Sequence, residues 1–216
     1  MSTYLSNNWE TILTALRQHI WLALVPVVIG FVVSLPIGYL GVRFPWLYQP
    51  LINTCGVLYS IPSLALFVFL PVLLGTKILS PLNIVVALTI YTVALLARTV
   101  ADGLRSVDDI IVQSATAMGY RRFRRLIDVQ LPVALPVILA GLRVATVANI
   151  SLVSVGALIG VGGLGQLFTR GFQLFYLQPI IVGIVLSVAL AGICDLAIVL
   201  LQRLVTPWTR FQGSAA

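Results

Sequence analysis

Apolar residues in this chain come in long unbroken runs. Near-continuous stretches occupy residues 20–42, 51–75, 82–100, 135–159 and 179–201. A hydrocarbon core of about 30 Å takes roughly 20 apolar residues wound as a helix, so each run is long enough to cross a bilayer. Membrane β-strands would instead alternate apolar and polar positions in segments of about ten residues. A continuous run in lipid satisfies its backbone as a helix. The predicted fold class is an all-α integral membrane protein with about five transmembrane helices, organised as one domain over residues 1–216. Connections are short except at 101–134 and 160–178.

The second run contains two prolines, Pro62 and Pro71. Proline removes a helix hydrogen bond and crowds the preceding turn, which predicts a kink or break near "SIPS" (residues 60–63). Broken helices with polar neighbours line transport routes. Ser60, Pro62 and Ser63, with Asn149 and Ser154 of the fourth run, are therefore the candidate path residues.

Composition agrees with this reading: 60% of the 216 residues are hydrophobic and 9% are charged, against about 25% charged in soluble domains. Loop arginines orient a membrane bundle. Placing the 101–134 loop in the cytoplasm puts Arg43, Arg98, Arg105, Arg121, Arg122, Arg124, Arg125, Arg143, Arg203 and Arg210 inside. Arg17, Lys77 and Arg170 remain outside, completing the 13 Lys and Arg residues. The expected topology has the N-terminus outside and the C-terminus in the cytoplasm of a bacterial inner membrane. The net charge of +7 then reflects topology and anionic lipid, not nucleic acid. The segment before the first run holds Glu10 and a single base, Arg17, and lacks a small-residue cleavage site, so the first span is expected to be retained. Cys55 and Cys194 lie inside apolar runs and read as small packing residues. The one histidine, His19, leaves little for a metal site.

The 101–134 loop contains the most polar stretch, "QSATAMGYRRFRRLIDVQLP" (residues 113–132). Ser106 followed by Asp109 has the spacing of a capping box, which predicts a short helix over 108–118. Gly119 ends it, and a second helix runs over 120–130. At 100° per residue, Arg121, Arg122, Arg124 and Arg125 share one half of that helix and Phe123, Leu126 and Ile127 the other. Pro132 is expected to stop it, with Leu131 pushed out of helical geometry. A nucleic-acid reading fails because the second helix offers arginine alone, with an apolar back, on a membrane protein. A helix lying on the membrane surface explains the arginines. It does not explain the small-residue helix and glycine turn, which suit close insertion into a partner's groove.

Here the sequence resembles the permeases of ATP-binding-cassette importers, whose cytoplasmic loop reads E-A-A-x-x-x-G, nine residues, then I-x-L-P. The matching positions are Gln113, Ser114, Ala115 and Gly119, then Val129, Leu131 and Pro132. Gln replaces Glu, Ser replaces the first Ala, and Val replaces Ile. The flanking "SIPSLAL" (60–66), "LPVALPVILAGLR" (131–143) and "GALIGVGGLGQLFTRG" (156–171) are similar to the osmoprotectant subfamily, which takes up glycine betaine, choline, carnitine, proline betaine and related solutes. The resemblance implies a type I importer permease fold in which the loop is a cytoplasmic coupling helix-turn-helix. It implies two ABC ATPase subunits that bind ATP and magnesium, a second permease subunit (identical or paralogous), an extracytoplasmic solute-binding protein, and no cofactor or catalysis in this chain. Methionine-type permeases share the five-helix core and the "GxGGLG" stretch. The alternatives from other classes are a small transporter driven by an ion gradient and a membrane scaffold that recruits a cytoplasmic partner.

"GVGGLG" (160–165) also fits a dinucleotide fingerprint, but it follows a membrane run instead of a strand, and no acid lies near 20 residues on. A tight outer turn, or a re-entrant connection of closely packed backbone, is expected instead. Gly156 and Gly160 make a GxxxG, a helix-packing device and a candidate dimer contact. No Walker-type G-x-x-x-x-G-K-[ST] occurs in the sequence. Asp195 is the one acid inside a run. An ionisable group there needs a partner, and Arg143 is the candidate for an intramembrane pair.

Overall fold

The computed structural model describes residues 2–208, with side chains from Tyr4 onward. Arg210, counted above among the inner arginines, lies outside the described residues. All regular elements among them are helical: α1 (Ser2–Arg43), α2 (Pro45–Ser60), α3 (Ser63–Leu74), α4 (Pro81–Arg105), α5 (Asp109–Ala117), α6 (Arg122–Arg125), α7 (Leu131–Gly156), α8 (Gly165–Gln173) and α9 (Leu177–Val205). A π-helical turn, Leu126–Gln130, joins α6 to α7, and a 3₁₀ turn, Ala157–Ile159, follows α7.

Helix α1 is far longer than the apolar run that announced it. At 1.5 Å per residue its 42 residues extend about 63 Å, twice the hydrocarbon thickness. Its polar first half stays helical because Ile12, Ala15 and Leu16 recur on one face and pack on Leu164, Leu167 and Val182. Tyr4 closes the top against Tyr176, ring edge to face at 5.7 Å.

The second run is not one helix. It breaks at Ile61 and Pro62, both extended, and α2 and α3 meet at 98°. Pro62 cannot donate, and the Tyr91 hydroxyl donates to the carbonyl of Ile61, so the exposed backbone acceptor at the corner is satisfied. Pro71 sits within α3 without breaking it.

The bent pair still crosses the bundle. Its start lies beside the C-terminal end of α4, where the Tyr48 hydroxyl donates to Asp102 at 2.6 Å and Arg105 stacks over the Tyr48 ring. Its exit lies beside the N-terminal end of α4, where the Asn83 amide donates to the carbonyl of Lys77. Consistent with that crossing, α1 and α4 run parallel: a Cβ on Gly30 would stand 2.5 Å from Thr92, and one on Gly38 2.6 Å from Val100. Helix α7 runs antiparallel to α4, since Gly141 abuts Thr99 and Gly156 abuts Ile84. Small residues set these close approaches, as in membrane bundles generally. The expected packing role of Gly156 and Gly160 has partners within the chain, Ile84 and Leu79.

Helix α4 is the core element. Leu88, Leu96, Ala97 and Val100 on it are fully buried, as are Leu22 of α1, Phe67 of α3 and Ile138 of α7 around it. Helix α9 is the opposite: only Pro179, Val182, Gly183 and Leu190 are buried, so most of its apolar surface faces outward. The protein is a multi-pass membrane protein with α1, the bent pair, α4, α7 and α9 as its crossings.

Candidate functional site

The insert sits at the end of the bundle where α1, α4 and α9 finish and α7 begins. Its first helix starts at Asp109, one residue after the expected 108 and two after the start that a Ser106 cap would give. Asp108 is the N-cap and accepts from the Ile110 N–H at 2.8 Å, whereas Ser106 donates to the Gly103 carbonyl and closes α4. Ser and Asp compete for the same orphan donors, and the residue adjacent to the helix prevails.

Helix α5 is anchored by Ala115, 1% exposed, and by Val112 against the cluster around Leu104 and Ala134. Its other face is bare. Gln113, Ser114, Ala117 and Gly119 are exposed, and around them stand Ile110 and Met118, each 70% exposed, and Phe123, 72% exposed. Gly119 reverses the chain at φ +85°, and a Cβ there would meet nothing within 4 Å. The small residues and the reversal leave a short ridge with large apolar side chains at its flanks.

Beyond the turn the structure departs from the expectation. Leu131 is helical (φ −63°, ψ −46°), and Pro132 does not stop the chain: it sits in the first turn of α7. The π-helical turn explains how. The Leu131 N–H reaches back five residues to Leu126, which widens the spiral where the proline ring would strike a carbonyl and where its own donor is missing. The insert is therefore α5, a turn, and an arginine-bearing extension continuous with α7. Val129, Leu131 and Pro132 are half-buried at that junction. Movement of α5 has a stiff route into a membrane crossing.

The arginines divide by partner. Arg124 pairs with Asp128 at 3.1 Å and lies over Tyr120. Arg125 donates to the Thr116 hydroxyl and so ties the extension back to α5. Arg121 and Arg122 are exposed.

A second feature runs along the outer flank of α7 and α9. Arg143 Nε donates to Asp195 Oδ1 at 2.6 Å, and Nη2 donates to Oδ2 at 2.8 Å, the two-pronged geometry that fits guanidinium to carboxylate. The expected pair forms, but it is not inside the bundle: the side chains are 38% and 32% exposed. They line a hollow of about 580 Å³ that shares Val147 with an adjoining hollow of about 340 Å³. The second hollow carries Ser151, Ser154 and Ser187 among aliphatic side chains.

The other candidate path residues are dispersed. Ser60, whose hydroxyl donates to Val57, and Pro62 reach the surface at the bend, with Ser63 half-buried beside them. Asn149 is 2% exposed and donates to Thr92 at 2.9 Å. It joins α7 to α4 in this conformation. The polar positions of α7 split between two faces, Thr146 and Asn149 inward, Ser151 and Ser154 toward the furrow.

Sequence reasoning missed how the turn before α8 is held. The Gly163 N–H donates to Gln18 Oε1 at 3.2 Å, and the Leu164 N–H donates to His19 Nδ1 at 3.1 Å. With Nδ1 accepting, the proton is on Nε2, which donates to the Ile150 carbonyl at 3.0 Å. His19, 0% exposed, thus fastens the glycine turn to α1 and α7. The available signal was a histidine at the top of an apolar run, which points to a buried bonded role as readily as to a ligand. The amphipathic α8 after the turn was also absent from the sequence reading.

Residues 27–210 match the family described as binding-protein-dependent transport system inner membrane component. The chain is 32% identical over 207 residues to the osmoprotectant import permease protein OsmW of Salmonella typhimurium, covering 94% of this chain and 96% of that one. It is 30% identical over 207 residues to the glycine betaine/carnitine/choline transport system permease protein OpuCB of Bacillus subtilis, covering 96% and 94%. Among solved structures, the inward-facing MetNI methionine ABC transporter superposes with a TM-score of 0.81 at 26% identity, over 90% of this chain and 95% of that one. The bent second crossing, the helical insert continuous with α7 and the match over most of the chain agree: this protein belongs to the binding-protein-dependent transport system inner membrane components.

Proposed function

We propose that the chain is the permease subunit of an ATP-binding-cassette importer for compatible solutes of the quaternary-amine type, such as glycine betaine, choline, carnitine or proline betaine. The observation that carries this reading is the bare face of α5. A nine-residue helix outside the apolar crossings exposes Ile110, and with Met118 at its end and Phe123 of α6 this frames a small-residue ridge; such a surface favours a protein groove over water. Partner ATPases would seat that ridge, bind ATP with magnesium and carry out hydrolysis. This chain would contribute no catalysis. Closure of the ATPases would move α5, and the continuous extension would pass the motion to α7 as rocking of one permease half against the other. The insert end faces the cytoplasm in this reading, with the N-terminus outside, toward a solute-binding protein.

A second permease, identical or paralogous, would cover the α7–α9 flank. The Arg143–Asp195 pair supports that placement, because a half-exposed ion pair on a lipid-facing surface is costly, while at a subunit interface it lines a guarded route. The furrow with Ser151, Ser154 and Ser187 extends that route away from the insert.

The test is uptake into proteoliposomes by this chain with its ATPase and binding protein, using labelled glycine betaine in one arm and labelled methionine in another. ATP-dependent accumulation of glycine betaine is expected. Methionine uptake alone would move the protein to the methionine type, which the MetNI likeness makes the second reading. Uptake by this chain alone on a proton or sodium gradient would sink the importer assignment.

A further inference from the structure

Behind the insert, on the side away from the bare face of α5, three arginines meet around a cavity of about 250 Å³. Arg43 comes from the last turn of α1, and Arg122 and Arg125 come from α6. Gln130 and Tyr39 complete its polar lining, and Val42 and Leu104 its apolar side.

The charge around this cavity is not balanced. No acid lines it, and the six acids of the chain are placed elsewhere: Asp102 pairs with Arg98, Asp128 with Arg124, Asp195 with Arg143, Asp108 caps α5, Asp109 opens it, and Glu10 is in the opposite half of α1. Among the described residues, Arg43 meets only the Phe44 ring, at 5.2 Å. Arg125 spends one nitrogen on Thr116, while its Nε is buried without a hydrogen-bond partner. Three like charges converging on a hollow repel one another, and a buried guanidinium nitrogen without an acceptor is rare. Both conditions are relieved by one anion with several oxygens, and guanidinium forks match phosphate oxygens best.

Position selects the source of that phosphate. The neighbouring Leu40 and Phe44 are 44% and 40% exposed, and Trp46, just beyond, is 74% exposed. Exposed aromatic residues where a membrane helix ends mark headgroup depth. An anion there has apolar surface beside it for acyl chains, which a free phosphate would not use. We propose that Arg43, Arg122 and Arg125 bind the phosphate-bearing headgroup of an anionic phospholipid, held between the end of α1 and the extension of the coupling insert. Basic hollows at membrane helix ends are suited to that class of ligand. The site depends only on the membrane setting, so it stands or falls separately from the choice of transported solute.

The test is native mass spectrometry of the full chain in detergent, titrated with dioleoylphosphatidylglycerol or dioleoylphosphatidylcholine. The wild type is expected to retain phosphatidylglycerol preferentially. Arg122→Gln, at an exposed position with no internal partner to lose, should weaken that retention by roughly tenfold, the size of a lost charge-assisted hydrogen bond. Arg43→Gln/Arg122→Gln/Arg125→Gln should abolish it, while Arg121→Gln, outside the cavity, should leave it unchanged. Equal loss in Arg121→Gln would reduce the effect to general surface charge and overturn the site. Displacement of the lipid by millimolar inorganic phosphate would reassign it to a soluble anion, and displacement on adding the ATPase would reassign it to an acidic side chain of the partner. Either result removes the lipid assignment.

Discussion

Two glycines with nearly the same backbone sit in opposite halves of the protein and live in opposite surroundings. Gly163, at φ +84°, lies in the turn before α8, where Val161 and Leu164 are buried and the N–H groups are taken by Gln18 and His19. Gly119, at φ +85°, lies in the 101–134 insert with open space where its side chain would be. Left-handed geometry alone therefore does not tell a packed turn from an open one. What separates them is whether the surrounding backbone donors and apolar groups are already used within the chain. At the turn around Gly163 they are. At the insert, the large apolar side chains around the bare face of α5 have no partner surface among the described residues.

That contrast can be broken from the packed end first. At Gly165 a Cβ would lie 2.4 Å from the Ser154 carbonyl oxygen and 2.7 Å from the Ala157 Cβ. Backbone cannot step aside as a flexible side chain does. Gly165→Ala should cost about 3 kcal/mol or more, visible as loss of monodisperse protein in detergent. A normal yield and melting temperature would mean that the turn is looser than its contacts indicate.

His19→Ala comes next. It leaves the buried Leu164 N–H without an acceptor, removes a donor from Ile150, and opens a cavity beside α1. Roughly 3 kcal/mol of lost stability is expected from these together, measured as a lower thermal midpoint. His19→Gln keeps a long side chain able to reach one of the two partners and should recover part of the loss. If Ala and Gln behave alike, the histidine fills space and its bonds contribute little.

How much of this was readable beforehand differs between the two ends for a physical reason. Continuous apolar runs announced the crossings, and proline chemistry announced the break at Ile61 and Pro62. Arginine spacing and the small-residue helix with its glycine announced α5 and its turn. These are local signals, carried by residues adjacent in sequence. The clamp from Gln18 and His19 to residues 163 and 164 joins positions 145 apart, and nothing local records it. The first half of α1 was missed because its apolar stripe is narrow, and α8 because nine residues of mixed polarity look like loop. Pro132 misled in the other direction: a π-helical turn absorbs a proline that would end an ordinary helix, and that turn has no sequence mark of its own. The Arg143–Asp195 pair was legible from the cost of a lone acid in an apolar run, but its outward face was not.

The smallest expected change is the sharpest discriminator. Gly119→Ala adds one methyl group where nothing lies within 4 Å, so in the free chain it tests backbone geometry alone. Holding alanine in the left-handed region costs about 1–2 kcal/mol, and the turn is at the edge of the fold, so the thermal midpoint should move little. Gly119→Asp adds charge and bulk at the same exposed point and should likewise leave insertion and folding intact. Against a partner ATPase the two should diverge. Pull-down should be lost with Asp, since a carboxylate would be driven into a closely fitted groove, and only weakened with Ala. Unimpaired capture by Gly119→Asp would place the grip somewhere other than this turn. A stability loss in the free chain as large as that of Gly165→Ala would mean that Gly119 is packed after all, and the two turns would then be alike.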